Sequence, residues 1–439
     1  KIVEDFVRSI LFEVEGEDNP LNSYQYRFDI RQQFVKAQFR QEKGDRHLLS
    51  YGVHGIRYQL NPGEILPFGP ESGVISDQVA PETAMDWSIY LGDEFEINDQ
   101  WALSGGLRYN FYTYLGPQTL PVYAEGEPFL KENITGETRF QSGEPVQTYH
   151  GPEFRFSARY ALSNQSSLKA GVNSMRQNIH LLSNSSVITP TDTWKLSDSF
   201  LKPQQGIQYA LGYFKNMNQG AFEFSAELYY RSMQNLLDYR SGASIVLNDR
   251  IEQEVLVTQG KAYGMELYLK KSTGKLNGTL AYTYSRSLMQ TDPSEQKEQI
   301  NRSEWYPSNF DQPHNANFVG NLELSKRVNV TLAGKYSTGR PVTLPIAKFN
   351  YGGSERVYFS DRNSFRVPDY FRMDLSVNLE GNHKIAKLAH ASWSFGVYNL
   401  LGRDNAYSVY FVPEAGKLRG YQLAIFAEPI PFITYNFRF

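Results

Sequence analysis

The sequence has no cysteine among its 439 residues and no run of about 18 apolar residues. The first absence excludes disulfides, thiol catalysis and thiolate metal sites. The second excludes a membrane-spanning helix. Neither sign of charge dominates, since 44 Lys and Arg face 47 Asp and Glu for a net charge of −3. That balance offers no electrostatic footprint for nucleic acid, which is not expected as a partner. His-Glu-x-x-His, Gly-x-Ser-x-Gly, a phosphate-cradling Gly-rich loop and a dinucleotide fingerprint are all missing. No two of the 7 histidines sit at ligand spacing on one face, so the expectation is no metal, no cofactor and no enzyme.

What is present is aromatic: Tyr, Phe and Trp make up 14% of the chain, with 30 Tyr and 28 Phe. Apolar and polar residues alternate with period two, the mark of strands with two unlike faces. Leu276, Leu280, Tyr282 and Tyr284 alternate with Asn277, Thr279, Thr283 and Ser285. Trp101, Leu103, Leu107, Tyr109 and Phe111 alternate with Ser104, Arg108 and Asn110. Further rows begin at Phe154, Phe222 and Phe371. The opposite faces carry Glu153, Arg155 and Arg159, or Arg372, Asp374 and Glu380, which could not fill a sandwich core without heavy desolvation. In a large barrel they line the lumen while the apolar rows meet lipid.

The connections alternate in length. Short polar turns fall at 44–46, 98–100, 163–165, 216–220, 272–275 and 325–327, and long links at 61–82, 113–149, 178–205, 289–311 and 342–367. Outer-membrane barrels keep short turns on the periplasmic side and long loops outside. The expected fold is therefore all-β, a transmembrane antiparallel barrel with about sixteen strands in this chain, starting with a weak one near Phe6–Val14.

The last residues place Ile433, Tyr435, Phe437 and Phe439 on one face, and this aromatic terminus resembles the signal read by the barrel assembly machinery. Several stretches also resemble the barrels of TonB-dependent outer-membrane transporters, especially the Bacteroidetes branch with a carboxypeptidase-regulatory-like extension. Leu201-Lys202-Pro203-Gln204-Gln205-Gly206-Ile207-Gln208-Tyr209-Ala210-Leu211-Gly212 is similar to that family's LKPE…YELG segment, with Gln204 and Ala210 where many members carry Glu. Arg176 to Asn184, Phe310 to Asn315, Arg366 to Asp374 and Gly396 to Leu401 follow in the family's order.

The resemblance implies active uptake of a scarce solute across the bacterial outer membrane, with TonB pulling on a plug inside the barrel. It also implies about twenty-two strands in a complete member. Residues 1–439 then form the C-terminal barrel portion, with the plug, the N-terminal extension and the first strands absent from it. The start, Lys1-Ile2-Val3-Glu4-Asp5, lacks the features of a signal peptide, so the missing parts are expected upstream or as a cleaved partner. A second reading is a passive sixteen-stranded porin or the barrel scaffold of a larger outer-membrane assembly. The partners expected are outer-membrane lipid, the plug and missing strands, the TonB complex and the assembly machinery.

Recognition is expected on the loops. Asn178, His180, Asn184, Thr191 and Trp194 could bond and stack on a ligand, or instead pack on themselves as a cap. Tyr112 and Tyr114 could do the same or belong to the interfacial girdle. Arg155, Arg159, Glu223, Glu227, Arg372 and Asp374 are candidates for lumen or plug contact, with a ladder of compensating wall charges as the alternative reading of Arg372 and Asp374. Asp311 and His314 read as a loop-to-strand anchor or a substrate contact. Tyr435, Phe437 and Phe439 carry the assembly signal.

Overall fold

The computed structural model describes every residue except 1, 17–19, 184–191, 293–297, 353, 382–389, 415–416, 426 and 439. Among the described residues there is no α-helix, only short 3-10 turns such as Ile251–Gln253. One antiparallel sheet of 18 strands dominates, and two of these, Asp77–Gln78 and Tyr306–Pro307, are two-residue pieces. The rest pair with their neighbours in chain order, from Ile2–Gly16 on Tyr24–Lys43 to His390–Tyr398 on Ile430–Arg438. Each of these two end strands pairs on one side only among the described residues, so the sheet is open.

The six short turns fall where the alternation ends. Gly44, with φ of 65°, takes the left-handed conformation between Tyr24–Lys43 and His47–Pro67 that a side chain would resist. Strands run past the expected link boundaries: His47–Pro67 enters the 61–82 link, and Trp101–Leu115 and Pro145–Ser163 shorten the 113–149 link. The ladder continues there because the backbone groups still find partners beyond the apolar band, through a bulge between Arg27 and Asp29. The remaining link residues build hairpins of their own, including Gln118–Tyr123 with Ile134–Phe140, and Ile179–Leu182 with Thr193–Leu196.

The two faces of the sheet differ as the alternation implies. Leu107, Tyr109 and Phe111 stay 66%, 43% and 47% exposed, and Leu280 and Leu228 are likewise open. Among the described residues no second sheet or helix covers these rows. In water each such side chain would forgo roughly 1.5–3 kcal/mol of burial, which lipid contact restores. The largest cluster of buried residues among the described ones lies on the opposite face, and two smaller ones form around Leu182, Leu201 and Tyr239 and around Leu256, Ile300 and Tyr306. In the largest, Tyr58, Leu60, Ala84, Tyr112 and Tyr114 pack with Leu196 of the inserted hairpin.

Candidate functional site

The hairpin Ile179–Leu182 with Thr193–Leu196 turns back onto the polar face of the wall. Its second strand packs on His47–Pro67 and Glu82–Glu96. Alternation along Trp101–Leu115 directs Asn110, Tyr112 and Tyr114 to this face, and all three are buried. The girdle alternative therefore does not hold for Tyr112 and Tyr114, because the girdle side of that strand is the side of Tyr109 and Phe111.

The hairpin is tied down by polar groups. Lys195 places its Nζ 2.5 Å from Glu82 and 2.8 Å from Asp198, and Glu82 also accepts the Leu196 amide at 2.8 Å. Burial works against the Lys195 charge, but Asp198 and Glu82 outweigh it and hold the ammonium well above its ordinary range. The Tyr112 hydroxyl donates to the Ser197 carbonyl at 2.7 Å, and Tyr149 donates to the Asp198 carbonyl at 2.7 Å. Asn178 donates to Asp86 at 2.8 Å, and Asn110 bonds the other oxygen of the same carboxylate. Asp198 also accepts the amides of Phe200 and Leu201, fixing the turn into the Leu201-Lys202-Pro203 segment.

His180 is fully buried, with Gln204 donating to its Nδ1 at 3.2 Å and Ser197 Oγ 2.9 Å from its Nε2. This arrangement suits a neutral ring protonated on Nε2. Burial pushes its pKa down to about 4.

Neighbouring long loops lock onto this cap. Tyr123 donates to Glu252 at 2.7 Å, while Tyr123, Phe129 and Phe200 form an aromatic trio with centroids 4.9, 5.3 and 5.6 Å apart. Burial raises the Glu252 carboxyl pKa, opposed by the Tyr123 hydrogen bond. Arg362 reaches Asp238 at 3.0 Å and the Tyr239 carbonyl at 2.7 Å, and Tyr306 donates to the same Asp238 at 2.7 Å. Buried Asp311 holds Arg286 at 3.1 Å, Arg366 and the Ser287 amide, tying a loop to a strand. His314 meets the Tyr282 hydroxyl at 2.9 Å.

Five of the candidate ligand contacts thus come together: Tyr112, Tyr114, Asn178, His180 and Trp194 all belong to the docked hairpin or the wall beneath it. Asn184 and Thr191 lie outside the described residues, as does Phe439. The six charged candidates are spread along the wall and form no single constellation. Arg155 and Arg159 are exposed. Glu223 pairs with Lys270 at 2.9 Å, Glu227 faces Glu266 across the register, and Arg372 bonds Asp374 at 2.7 Å. Tyr435 and Phe437 are half exposed on the final strand. Sequence reasoning missed Glu82, Asp86, Tyr149, Lys195, Ser197 and Asp198. For Glu82 and Asp86 a signal existed, since carboxylates on an alternating strand beside Ala84 and Ser88 mark a polar face that is not simply solvated.

A long antiparallel wall with apolar rows outside, and with a loop folded onto its polar face, defines an outer-membrane β-barrel protein. A family model described as TonB dependent receptor-like, beta-barrel, matches residues 9–400, and the chain belongs to that family. Its place is accordingly the outer membrane of a Gram-negative bacterium. The chain is similar to the unliganded ferric citrate transporter FecA at 12% identity, with TM-score 0.62, covering 99% of this chain and 58% of that one. The copper transporter OprC matches at 13% identity and TM-score 0.59, covering 94% and 57%. The ferric yersiniabactin uptake receptor FyuA from Yersinia pestis matches at 14% identity and TM-score 0.58, covering 100% and 57%. At these identities the likeness is one of fold. The chain spans little more than half the length of each of these structures. No curated protein matches it.

Proposed function

We propose that this chain is the wall and outer-loop portion of a TonB-dependent active transporter that imports a scarce solute. Family membership across residues 9–400 carries this reading. The chain's span of little more than half of each solved neighbour supports a larger barrel, for which the family resemblance implies about twenty-two strands, and unpaired edges in hydrocarbon would cost several kcal/mol per group. On this reading the missing strands and a plug come from another segment, and the order of the motifs favours the Bacteroidetes branch. The long loops face outside and the short turns face the periplasm.

The docked hairpin works on this reading as a fixed floor for the outer vestibule. Tyr112, Tyr114, Asn178 and His180 position it, while Trp194 and the residues above offer ligand contact. The exposed Arg155 and Arg159, together with Glu223 and Glu227, line the lumen where a plug would slide. The chain performs no bond chemistry. Its task is binding coupled to a movement elsewhere. Tyr435, Phe437 and Phe439 present the last strand to the assembly machinery.

The test uses the full-length protein in cells with and without TonB, measuring accumulation of radiolabelled ferric citrate, another ferric chelate and copper, chosen from the solutes of the solved neighbours. Accumulation that requires TonB is the expected result. Uptake independent of TonB, together with steady ion conductance of the purified protein in a planar bilayer, would overturn it in favour of a passive pore.

A further inference from the structure

The outer face of two adjacent strands, Tyr24–Lys43 and His47–Pro67, changes character along its length. Near their shared short turn it is apolar. Phe39 and Tyr51 stand opposite each other with rings stacked at 5.5 Å, and Val35 and Val53 are exposed beside them. Gly55 follows, with the Trp87 ring so close that a Cβ there would run into it. Toward the long loops the same face then turns polar. Gln33 pairs with Arg57, and Arg31 with Gln59, so the four form a two-by-two block with the arginines on a diagonal. The next strand places only Met85 and Thr83 beside this block.

Both arginines are open. Arg31 is 60% exposed and steadied by Asp29 at 3.1 Å, while Arg57 has no ion pair among the described residues. A single arginine beyond an apolar band can simply extend its head into water. Two guanidinium forks and two amides on one rigid sheet offer more. The forks match phosphate oxygens, and the amides can both donate to and accept from sugar hydroxyls. The position selects the ligand, because the block lies on the long-loop side of the exposed apolar row of Phe39, Tyr51, Val35 and Val53, the side on which headgroups would follow hydrocarbon.

We propose that Arg31, Gln33, Arg57 and Gln59 bind the phosphorylated sugar headgroup of an outer-leaflet glycolipid. This rests on the orientation proposed above, with the long loops outside the cell. Bound lipid would stiffen the strands on which the inserted hairpin sits, because Tyr58 and Leu60 on the other face of His47–Pro67 belong to its core.

The test measures the apparent unfolding temperature of the full-length protein in detergent with added diphosphoryl lipid A, fully dephosphorylated lipid A, or inorganic phosphate. The diphosphoryl lipid should raise the midpoint by about 3 °C, and the other two should leave it unchanged. An Arg31→Gln/Arg57→Gln variant should lose the shift, and an Arg31→Lys/Arg57→Lys variant should keep part of it. Equal shifts with dephosphorylated lipid, a shift reproduced by inorganic phosphate, or a full shift in the glutamine variant would each overturn the proposal. Should the glutamine variant fail to fold, Gln33→Ala must still weaken the response to the diphosphoryl lipid. Orientation is checked separately. Ile75→Cys, in an 86% exposed loop position, must react with an impermeant maleimide on whole cells above the level of the unsubstituted protein. Silence there refutes the orientation, whereas a labelled protein without a lipid shift refutes the headgroup site alone.

Discussion

Two stretches of wall, Glu82–Glu96 and His314–Ser325, begin from the same two-residue alternation and end in different states. In the first, Glu82, Ala84, Asp86 and Ser88 are buried on the polar face. In the second, no residue is buried at all. The difference is the hairpin from the 178–205 link, which lies on the first stretch and not on the second. Alternation therefore decides which way a side chain points, and a distant loop decides whether that direction is wet. Carboxylates tolerated in an open lumen become costly once covered, and the covering segment must supply their partners.

The sharpest way to break this contrast is to remove the cation beneath the hairpin. Lys195→Met leaves Glu82 and Asp198 buried without a counter-charge, and losing one partner of a buried pair costs about 3–5 kcal/mol. Denaturant unfolding of the refolded protein should show that loss, whereas Lys270→Met, which removes the exposed partner of Glu223, should change little. Equal effects of the two would mean that the covered and open sectors do not differ.

Acid provides the second test. The His180 pKa falls from its ordinary 6.5 to about 4 in the fold. Above pH 6.5 the ring is neutral in both states and the full stability is present. As the pH drops from 6.5 toward 4, the unfolded chain takes up a proton that the folded chain refuses, and about 3 kcal/mol drains away. Unfolding curves across that window should fall for the natural protein and flatten for His180→Gln.

How far the sequence revealed this contrast depends on the range of each interaction. The strands, the short turns and the lipid-facing rows rest on neighbours two residues apart, so the pattern of Leu107, Tyr109 and Phe111 was enough to identify them. The burial of Tyr112 and Tyr114 was half legible, since their parity with Asn110 already put them on the polar face. The Lys195–Glu82 tie was not legible. The two residues are 113 positions apart, and nothing in either segment announces the other until the hairpin docks. The hairpins within the links escaped notice for a related reason: with few residues per strand, their alternation is too short to stand out.

A third test addresses the outer face, where both sectors should behave alike. Leu107→Arg, at a 66% exposed position, should cost about 2–4 kcal/mol in lipid vesicles. Ser104→Arg, on the polar face across from Glu94, should stay within about 0.5 kcal/mol. If both substitutions were equally mild in lipid, the apolar rows would not be meeting hydrocarbon.

The smallest expected effect is also the most specific to the docked hairpin. Tyr112→Phe and Tyr149→Phe each remove one hydroxyl bond to consecutive carbonyls, those of Ser197 and Asp198, at about 1 kcal/mol apiece. Since both bonds hold the same two residues in place, losing the first should loosen the second. The double variant should then cost less than the sum of the singles by about 0.5 kcal/mol or more, as coupled neighbours do. Strict additivity in a double-mutant cycle would mean that the two tyrosines hold the chain independently, and that the hairpin does not dock as one unit.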